Sequence, residues 1–528
     1  MNIKQQLSQS FHFPRTPILK ILIVIHAWFL LEYHAYYEWS FWKTEPLQTI
    51  GMIGYSYWSI ITLYYLVETL LAPYRWRRYF GIMTLLFVYS LGAGYFFESD
   101  MFCEYGLLHD TQNDAKNWGV ISMIFSRIQY KTMIYSAIVI LGLFIQECRK
   151  QWIKHHAVAL HKRWVQLATL VGLCAIFILN PIRTHDVITF FMQSAYRYFY
   201  PDYSIHTLEN TNTYPYLQET FSYTSIKQPA SKPHVFLIIL ESFNADAVRM
   251  KNDRGQLIMP FFNQLKNQGF YVKHYYSNSV LSAKGYGSIL YSLYPMYKGS
   301  LLSQDTLTPY GLHNIFKHNG YSLMGIFSEK SYQNLFSEKG FDDAYLVDPP
   351  VDDVFKNDWG VEDRFLYQSL FRRLDEKQET GTLSQPVFNL VITLYSHTSF
   401  NVPEERRYHY KTPQTLDQKY KNSFALSDEG LTYFFDELKK RDYLDNSVVI
   451  IVGDHGYPLG NHGITKTETG IYDESYRVPF LMLWPNQLPP TRIKPEDNVY
   501  SHVDVAPTLI DLLHLEVDQT AFVGQSML

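Results

Sequence analysis

Two apolar runs that each end on a metal-ligand side chain constrain this chain more than any other feature. Asn446-Ser447-Val448-Val449-Ile450-Ile451-Val452 leads into Gly453-Asp454-His455-Gly456, and His234-Val235-Phe236-Leu237-Ile238-Ile239-Leu240 leads into Glu241-Ser242. Continuous β-branched runs of this length are expected as strands buried on both faces, which requires helices above and below a parallel sheet. Active sites of open α/β sheets lie outside the carboxyl ends of the strands. Two such strands delivering Glu241, Asp454 and His455 at those ends point to a divalent-cation site. The plainer alternative makes the two acids helix N-caps and His455 a loop histidine. It accounts for either strand end alone better than for both together.

The same alternation runs through the C-terminal half. Further strands are predicted at Tyr321–Phe327, Val387–Tyr395 and Val478–Leu483, and amphipathic helices at Asp363–Asp375, Ser427–Lys440 and Asp504–Leu513. Strands alternating with helices in this way predict a mostly parallel α/β sheet covered by helices.

The N-terminal half is of a different kind. Five long apolar stretches fall at about Ile18–Tyr37, Ile50–Ala72, Tyr79–Phe97, Thr132–Gln146 and Trp164–Ile182. Most approach the ~20 residues that span a bilayer, so a five-helix transmembrane domain is predicted. The first lacks a small-x-small cleavage site and so does not read as a signal peptide. Basic residues concentrate before the first stretch, at Arg75, Arg77 and Arg78, and at Arg149–Arg163. The positive-inside rule then places the N-terminus in the cytoplasm and everything after about Arg183 outside it. The expected location is the bacterial inner (cytoplasmic) membrane, multi-pass, with an extracytoplasmic C-terminal domain. Domains are expected at 1–190 (membrane), 191–232 (an aromatic interfacial linker) and 233–528 (extracytoplasmic).

The net charge of −4 provides no basic field, so nucleic acid is not an expected partner. Cys103, Cys148 and Cys174 all precede the C-terminal domain, which therefore has neither a disulfide framework nor thiolate metal sites.

A metal at Glu241, Asp454 and His455 needs a group to activate. Ser282-Ala283-Lys284-Gly285-Tyr286-Gly287-Ser288-Ile289-Leu290 offers Ser282, expected as the N-cap of a helix or of an earlier turn broken by the glycines. Backbone N–H groups at such an end can receive a phosphate, and metal coordination would make the hydroxyl nucleophilic. An ordinary capping serine is the alternative.

Glu241 after a strand, the Ser282-x-Lys284-Gly285 segment and the late Gly453-Asp454-His455-Gly456 resemble the lipoteichoic acid synthase family. These are membrane phosphoglycerol transferases of the alkaline phosphatase/sulfatase-like superfamily. Asp358-Trp359-Gly360-Val361, Ser396-His397 and Asp504-Val505-Ala506-Pro507-Thr508 add to the match in the same chain order. The resemblance implies an alkaline-phosphatase-like (sulfatase-like) fold and one divalent ion held by Glu241, Ser282, Asp454 and His455. It implies Ser282 as the nucleophile, His397 beside the transferred phosphate, and Trp359 among the substrate-binding residues. Lys284 and His397 are expected to stabilise charge on the phosphoryl oxygens. An O,O,O,N donor set suits Mn2+ first, with Mg2+ or Zn2+ as alternatives. His462 is either a ligand of a second metal or structural.

There is one departure from the family pattern. Where lipoteichoic acid synthases use a Trp and an Arg for the glycerol phosphate headgroup, Phe327-Ser328-Glu329-Lys330-Ser331-Tyr332-Gln333-Asn334 has neither. The formylglycine pattern of sulfatases is also missing, since Ser282 is not followed by x-Pro-x-Arg. The expected function is transfer of a phosphoglycerol-type headgroup from a membrane phospholipid to an envelope glycan or lipid, through a Ser-linked intermediate. The alternatives are a phosphoethanolamine transferase and a non-catalytic sulfatase-like binding protein.

Overall fold

Strand β1 (His234–Leu240) alternates strictly: Val235, Leu237 and Ile239 enter one hydrophobic core, and Phe236, Ile238 and Leu240 enter another. A strand with apolar residues on both faces can only sit in the middle of a covered sheet. The computed structural model describes residues 231–528 apart from 297–299, 303–308, 349, 351, 358, 384–385, 465–471, 489–497 and 518–519. The five apolar stretches, nearly all of the 191–232 linker and Asp358 lie outside the described residues. Among the described residues no helix is long and apolar enough to cross a membrane.

After β1 come α1 (Pro260–Lys266), the short strands β2 (Phe270–Val272) and β3 (Tyr275–Tyr276), α2 (Ser282–Tyr291) and α3 (Leu312–His318). Then follow β4 (Ser322–Phe327), α4 (Lys330–Glu338), β5 (Asp343–Leu346), α5 (Asp363–Glu379), β6 (Val387–Ile392) and α6 (Leu416–Lys440). The chain closes with β7 (Ser447–Gly453), α7 (Asp473–Tyr476), β8 (Phe480–Leu483), β9 (Tyr500–Ser501) and α8 (Val505–Leu513).

Seven strands form one sheet in the order β2-β8-β7-β1-β6-β4-β5. The pairs from β7 to β5 are parallel, while β8 runs antiparallel to both of its neighbours. The sheet is thus mostly parallel and helix-covered, as the sequence predicts. One core packs side chains of α2, α3 and α8 against the sheet, and the other packs those of α1, α5 and α6. α6 starts eleven residues before the predicted Ser427, capped by Thr415, whose side chain accepts from the Gln418 N–H. Its Asp428 accepts from the Phe261 and Phe262 N–H groups at 2.9 and 2.8 Å. That caps α1 from a distance, where the flanking Met259 offers no side-chain cap.

Candidate metal and nucleophile site

β1 and β7 are adjacent and in register, Leu240 opposite Gly453, so Glu241 and Asp454 emerge side by side at the carboxyl edge. Ser242 then takes a left-handed conformation, φ 54°, which a residue with a β-carbon adopts only when its surroundings hold it there. In that pose its N–H donates to Asp454 Oδ1 (2.8 Å) and its hydroxyl to Glu241 Oε1 (2.8 Å). The Ser242 carbonyl accepts from the Tyr420 hydroxyl at 2.9 Å, and that oxygen in turn accepts from the Asn244 N–H. The Ser396 hydroxyl, beyond β6, donates to the Glu241 carbonyl at 2.7 Å.

The His455 N–H also donates to Asp454 Oδ1, at 2.7 Å. Two backbone donors therefore occupy Oδ1, while Oδ2 is buried with no hydrogen-bond partner among the described residues. His455 Nδ1 lies 2.7 Å from the Gly456 carbonyl, which can only accept, so the proton is on Nδ1 and Nε2 offers a lone pair. Nε2 sits 3.6 Å from Glu241 Oε1, 3.5 Å from Asp454 Oδ2 and 3.2 Å from Ser282 Oγ. One ligand atom from each of Glu241, Asp454 and His455 falls within 4.8 Å of the others, and all three residues are buried. Burial first, and the Glu241 charge second, push the Asp454 carboxyl up to about 7. Two buried carboxylates converging on an imidazole lone pair, one with an orphaned oxygen, are a donor set that fits a divalent cation.

Ser282 Oγ completes the cluster, 3.2 Å from Glu241 Oε2 as well as from His455 Nε2. Its expected role as N-cap is corrected: Ser282 is the first residue of α2, the cap position is Leu281, and no side chain caps the helix. A capping serine would turn its hydroxyl back on its own helix, whereas this one faces the acids. The glycines do not break the helix either. A β-carbon on Gly285 would lie 2.7 Å from the Asp454 carbonyl oxygen, so the missing side chain lets α2 press against the end of β7.

Lys284 lies in the first turn of α2, two residues after Ser282, and is half-buried. His397 lies five residues beyond β6, its Nδ1 2.8 Å from the Thr398 carbonyl. Trp359 packs on it, with ring centroids 3.8 Å apart. The divergent Phe327–Asn334 segment also approaches. Its Tyr332 meets Tyr286 edge-on at 5.7 Å, and a β-carbon on Gly360 would lie 3.6 Å from Ser328 Cβ. His462 Nδ1 is 2.6 Å from Glu474 Oε1, and its ring stacks on Tyr472. Asp504 accepts from the N–H groups of Ser501 and Gln525.

Sequence reasoning missed Ser242, Tyr420 and His502, the last donating to the Gly453 carbonyl at 2.9 Å behind the site. Nothing in their local sequence marks them, because their roles arise from strand adjacency. It also missed Tyr286, which the helical spacing from Ser282 would have flagged. Burial, with Tyr332, Asp454 and Glu241 adding to it, pushes the Tyr286 phenol well above its ordinary value.

The domain is thus a three-layer α/β fold that gathers two acids, a histidine and a serine hydroxyl at the carboxyl edge of its sheet. The Sulfatase family profile matches residues 233–515, and the chain belongs to that family. Among curated relatives it is similar to "Lipoteichoic acid synthase-like YvgJ" of Bacillus subtilis, 26% identical over 318 residues. That alignment covers 56% of this chain and 49% of the relative, so the chain spans about half the length of that relative. It is also similar to the lipoteichoic acid synthase of Staphylococcus saprophyticus, 23% identical over 509 residues, covering 86% of this chain and 75% of that one. Among solved structures it resembles the lipoteichoic acid synthase LtaP of Listeria monocytogenes, with TM-score 0.48 and 22% identity. That match covers 57% of this chain and 78% of the other.

Proposed function

We propose that this chain is a membrane-bound, metal-dependent transferase. It would move a phosphoglycerol-type headgroup from a membrane phospholipid to an envelope glycan or lipid on the extracytoplasmic side. The observation that carries the reading is the approach of Ser282 Oγ to 3.2 Å from both Glu241 Oε2 and His455 Nε2, beside the orphaned Asp454 Oδ2. A nucleophile hydroxyl in contact with an acceptor carboxylate and an imidazole lone pair is the arrangement that activation requires. The relatives named for lipoteichoic acid synthesis support the phosphoglycerol class.

Glu241, Ser282, Asp454 and His455 would hold one divalent ion, Mn2+ by preference, with Mg2+ or Zn2+ as alternatives. When bound, that ion would lower the pKa of the Ser282 hydroxyl and offset charge on the phosphoryl oxygens. Ser282 Oγ attacks phosphorus, the diacylglycerol oxygen leaves, and a phosphoester remains on Ser282 until an acceptor hydroxyl displaces it. Lys284 and His397 stabilise the phosphoryl oxygens, and Trp359 fixes the His397 ring and borders the headgroup. Hydrolysis of sulfate esters by a formylglycine is set aside because Pro and Arg are missing after Ser282.

One observation favours a second donor, phosphatidylethanolamine. The segment that reaches Tyr286 through Tyr332 has neither the Trp nor the Arg expected for glycerol phosphate and carries an acid, Glu329. Purified full-length protein with Mn2+ is supplied in turn with labelled phosphatidylglycerol and phosphatidylethanolamine. Diacylglycerol from the first supports the proposal, and from the second alone transfers it to the runner-up. Release from neither, by metal-loaded protein, removes the transferase reading and leaves a binding protein.

A further inference from the structure

Tyr286 lies four residues after Ser282 in α2, so the two side chains share one face of the helix. Gly285 presses that part of α2 against the Asp454 carbonyl, and Ser282 faces Glu241 and His455. Tyr286 is 0% exposed, and among the described residues its hydroxyl has no hydrogen-bond partner within 3.5 Å. Ser282, Asp454 and Glu241 are nonetheless near enough to influence it. The ring is held by Tyr332, edge-on at 5.7 Å and 74°. A buried hydroxyl left without a partner is destabilising and calls for an explanation. Solvent does not reach this one, and Ser282, one helical turn earlier on the same face, is the site hydroxyl placed to pair with it.

We propose that Tyr286 donates a hydrogen bond to Ser282 Oγ in the reacting complex and stabilises charge on that oxygen. This rests on Ser282 being the nucleophile proposed above. In the first half-reaction the Ser282 O–H bond breaks, its proton passing to Glu241 Oε2, 3.2 Å away. The new Ser282 O–P bond forms as the P–O bond to diacylglycerol breaks, and that oxygen leaves with the bonding pair and takes up a proton. In the second, an acceptor hydroxyl forms the new P–O bond and loses its proton, while Ser282 Oγ departs with its bonding pair and is reprotonated. Tyr286 keeps its own proton throughout. Its donation matters most in the second half-reaction, where Ser282 Oγ leaves as an alkoxide. Tyr286 is therefore a catalytic residue acting on the leaving oxygen.

The test compares wild type with Tyr286→Phe in full-length, Mn2+-loaded protein, using phosphatidylglycerol and the p-nitrophenyl phosphodiester of glycerol as probes. Losing one such donor typically costs about 10²-fold in rate, so the Ser282 adduct should decay about 10²-fold more slowly and accumulate in mass spectra. Tm and Mn2+ affinity should stay at wild-type values. Equal decay of the adduct in both proteins overturns the proposal. Mn2+ affinity falling together with the rate also overturns it, since Tyr286 would then serve Asp454. If wild type forms no adduct with either probe, the nucleophile reading itself fails and this proposal goes with it.

Discussion

Gly285 and Gly287 sit two residues apart in the same helix, and replacing each by alanine should have opposite consequences. At Gly285 the new β-carbon would lie 2.7 Å from the Asp454 carbonyl oxygen, a backbone atom that cannot rotate away. Reaching an ordinary 3.4 Å requires α2 to retreat by about 0.7 Å. Ser282 moves with it, and its 3.2 Å contacts to Glu241 and His455 pass beyond hydrogen-bond reach. Misplacement by ~1 Å can cost about 10²-fold in rate, so Gly285→Ala should lose roughly 10- to 100-fold in donor cleavage. Stability should fall by no more than about 2 kcal/mol, because a helix-propensity gain of about 1 kcal/mol opposes an overpacking cost of about 1–3 kcal/mol. At Gly287 the nearest atom, Leu301 Cβ, would be at 3.6 Å, an ordinary contact. Gly287→Ala should therefore be stabilised by up to about 1 kcal/mol with full activity. Release of diacylglycerol and urea unfolding, measured on both variants, decide the matter. Wild-type turnover in Gly285→Ala, or an equal loss in Gly287→Ala, would refute the argument.

Asp454→Asn should abolish the rise in Tm that Mn2+ gives the wild type, a gain of about 2.7 kcal/mol at a hundredfold excess over Kd. The metal-free variant should in turn be more stable than metal-free wild type above pH 7, since burial has pushed the Asp454 carboxyl up to about 7. Calorimetry with and without Mn2+ checks both. Asp363, fully buried and accepting from the Ser427 hydroxyl at 2.6 Å, is likewise pushed by burial from 3.8 up to about 7. The folded state holds this proton where the unfolded chain has released it, so this contribution to stability is complete below about pH 4 and is lost as pH rises to about 7. Asp363→Asn should therefore gain on wild type across that interval, by several kcal/mol at ~1.4 kcal/mol per pKa unit. A urea midpoint difference that does not vary with pH would contradict this.

The sheet and half of the site were legible because each rests on a short local pattern. Val235–Leu240 of β1 and Val448–Val452 of β7 carry no polar residue that could turn a face to water. Glu241, Asp454 and His455 had only to follow those strands to reach the carboxyl edge. The strand after Ile392 was overread to Tyr395, since buried Leu394 and Tyr395 are as apolar as a strand residue but lie in the turn towards His397. The start of α6 was missed because its first turns, Leu416–Tyr420, are largely polar. Ser282 stands out in the sequence as a capping residue, whereas in the structure its hydroxyl faces Glu241 and His455. Its hydroxyl is set by the packing of Gly285 on Asp454, a contact spanning 169 residues of sequence that no local pattern encodes. The same holds for Ser242, Tyr420 and His502, which support the acids from three separate segments.

The most direct test of the central claim is mass spectrometry of metal-loaded protein incubated with phosphatidylglycerol in the absence of acceptor. The account predicts a glycerophosphoryl ester on the peptide carrying Ser282, absent in Ser282→Ala, which should fold normally because its hydroxyl caps nothing. An adduct on Ser277, Ser279 or Ser288, or undiminished diacylglycerol release by Ser282→Ala, would contradict it.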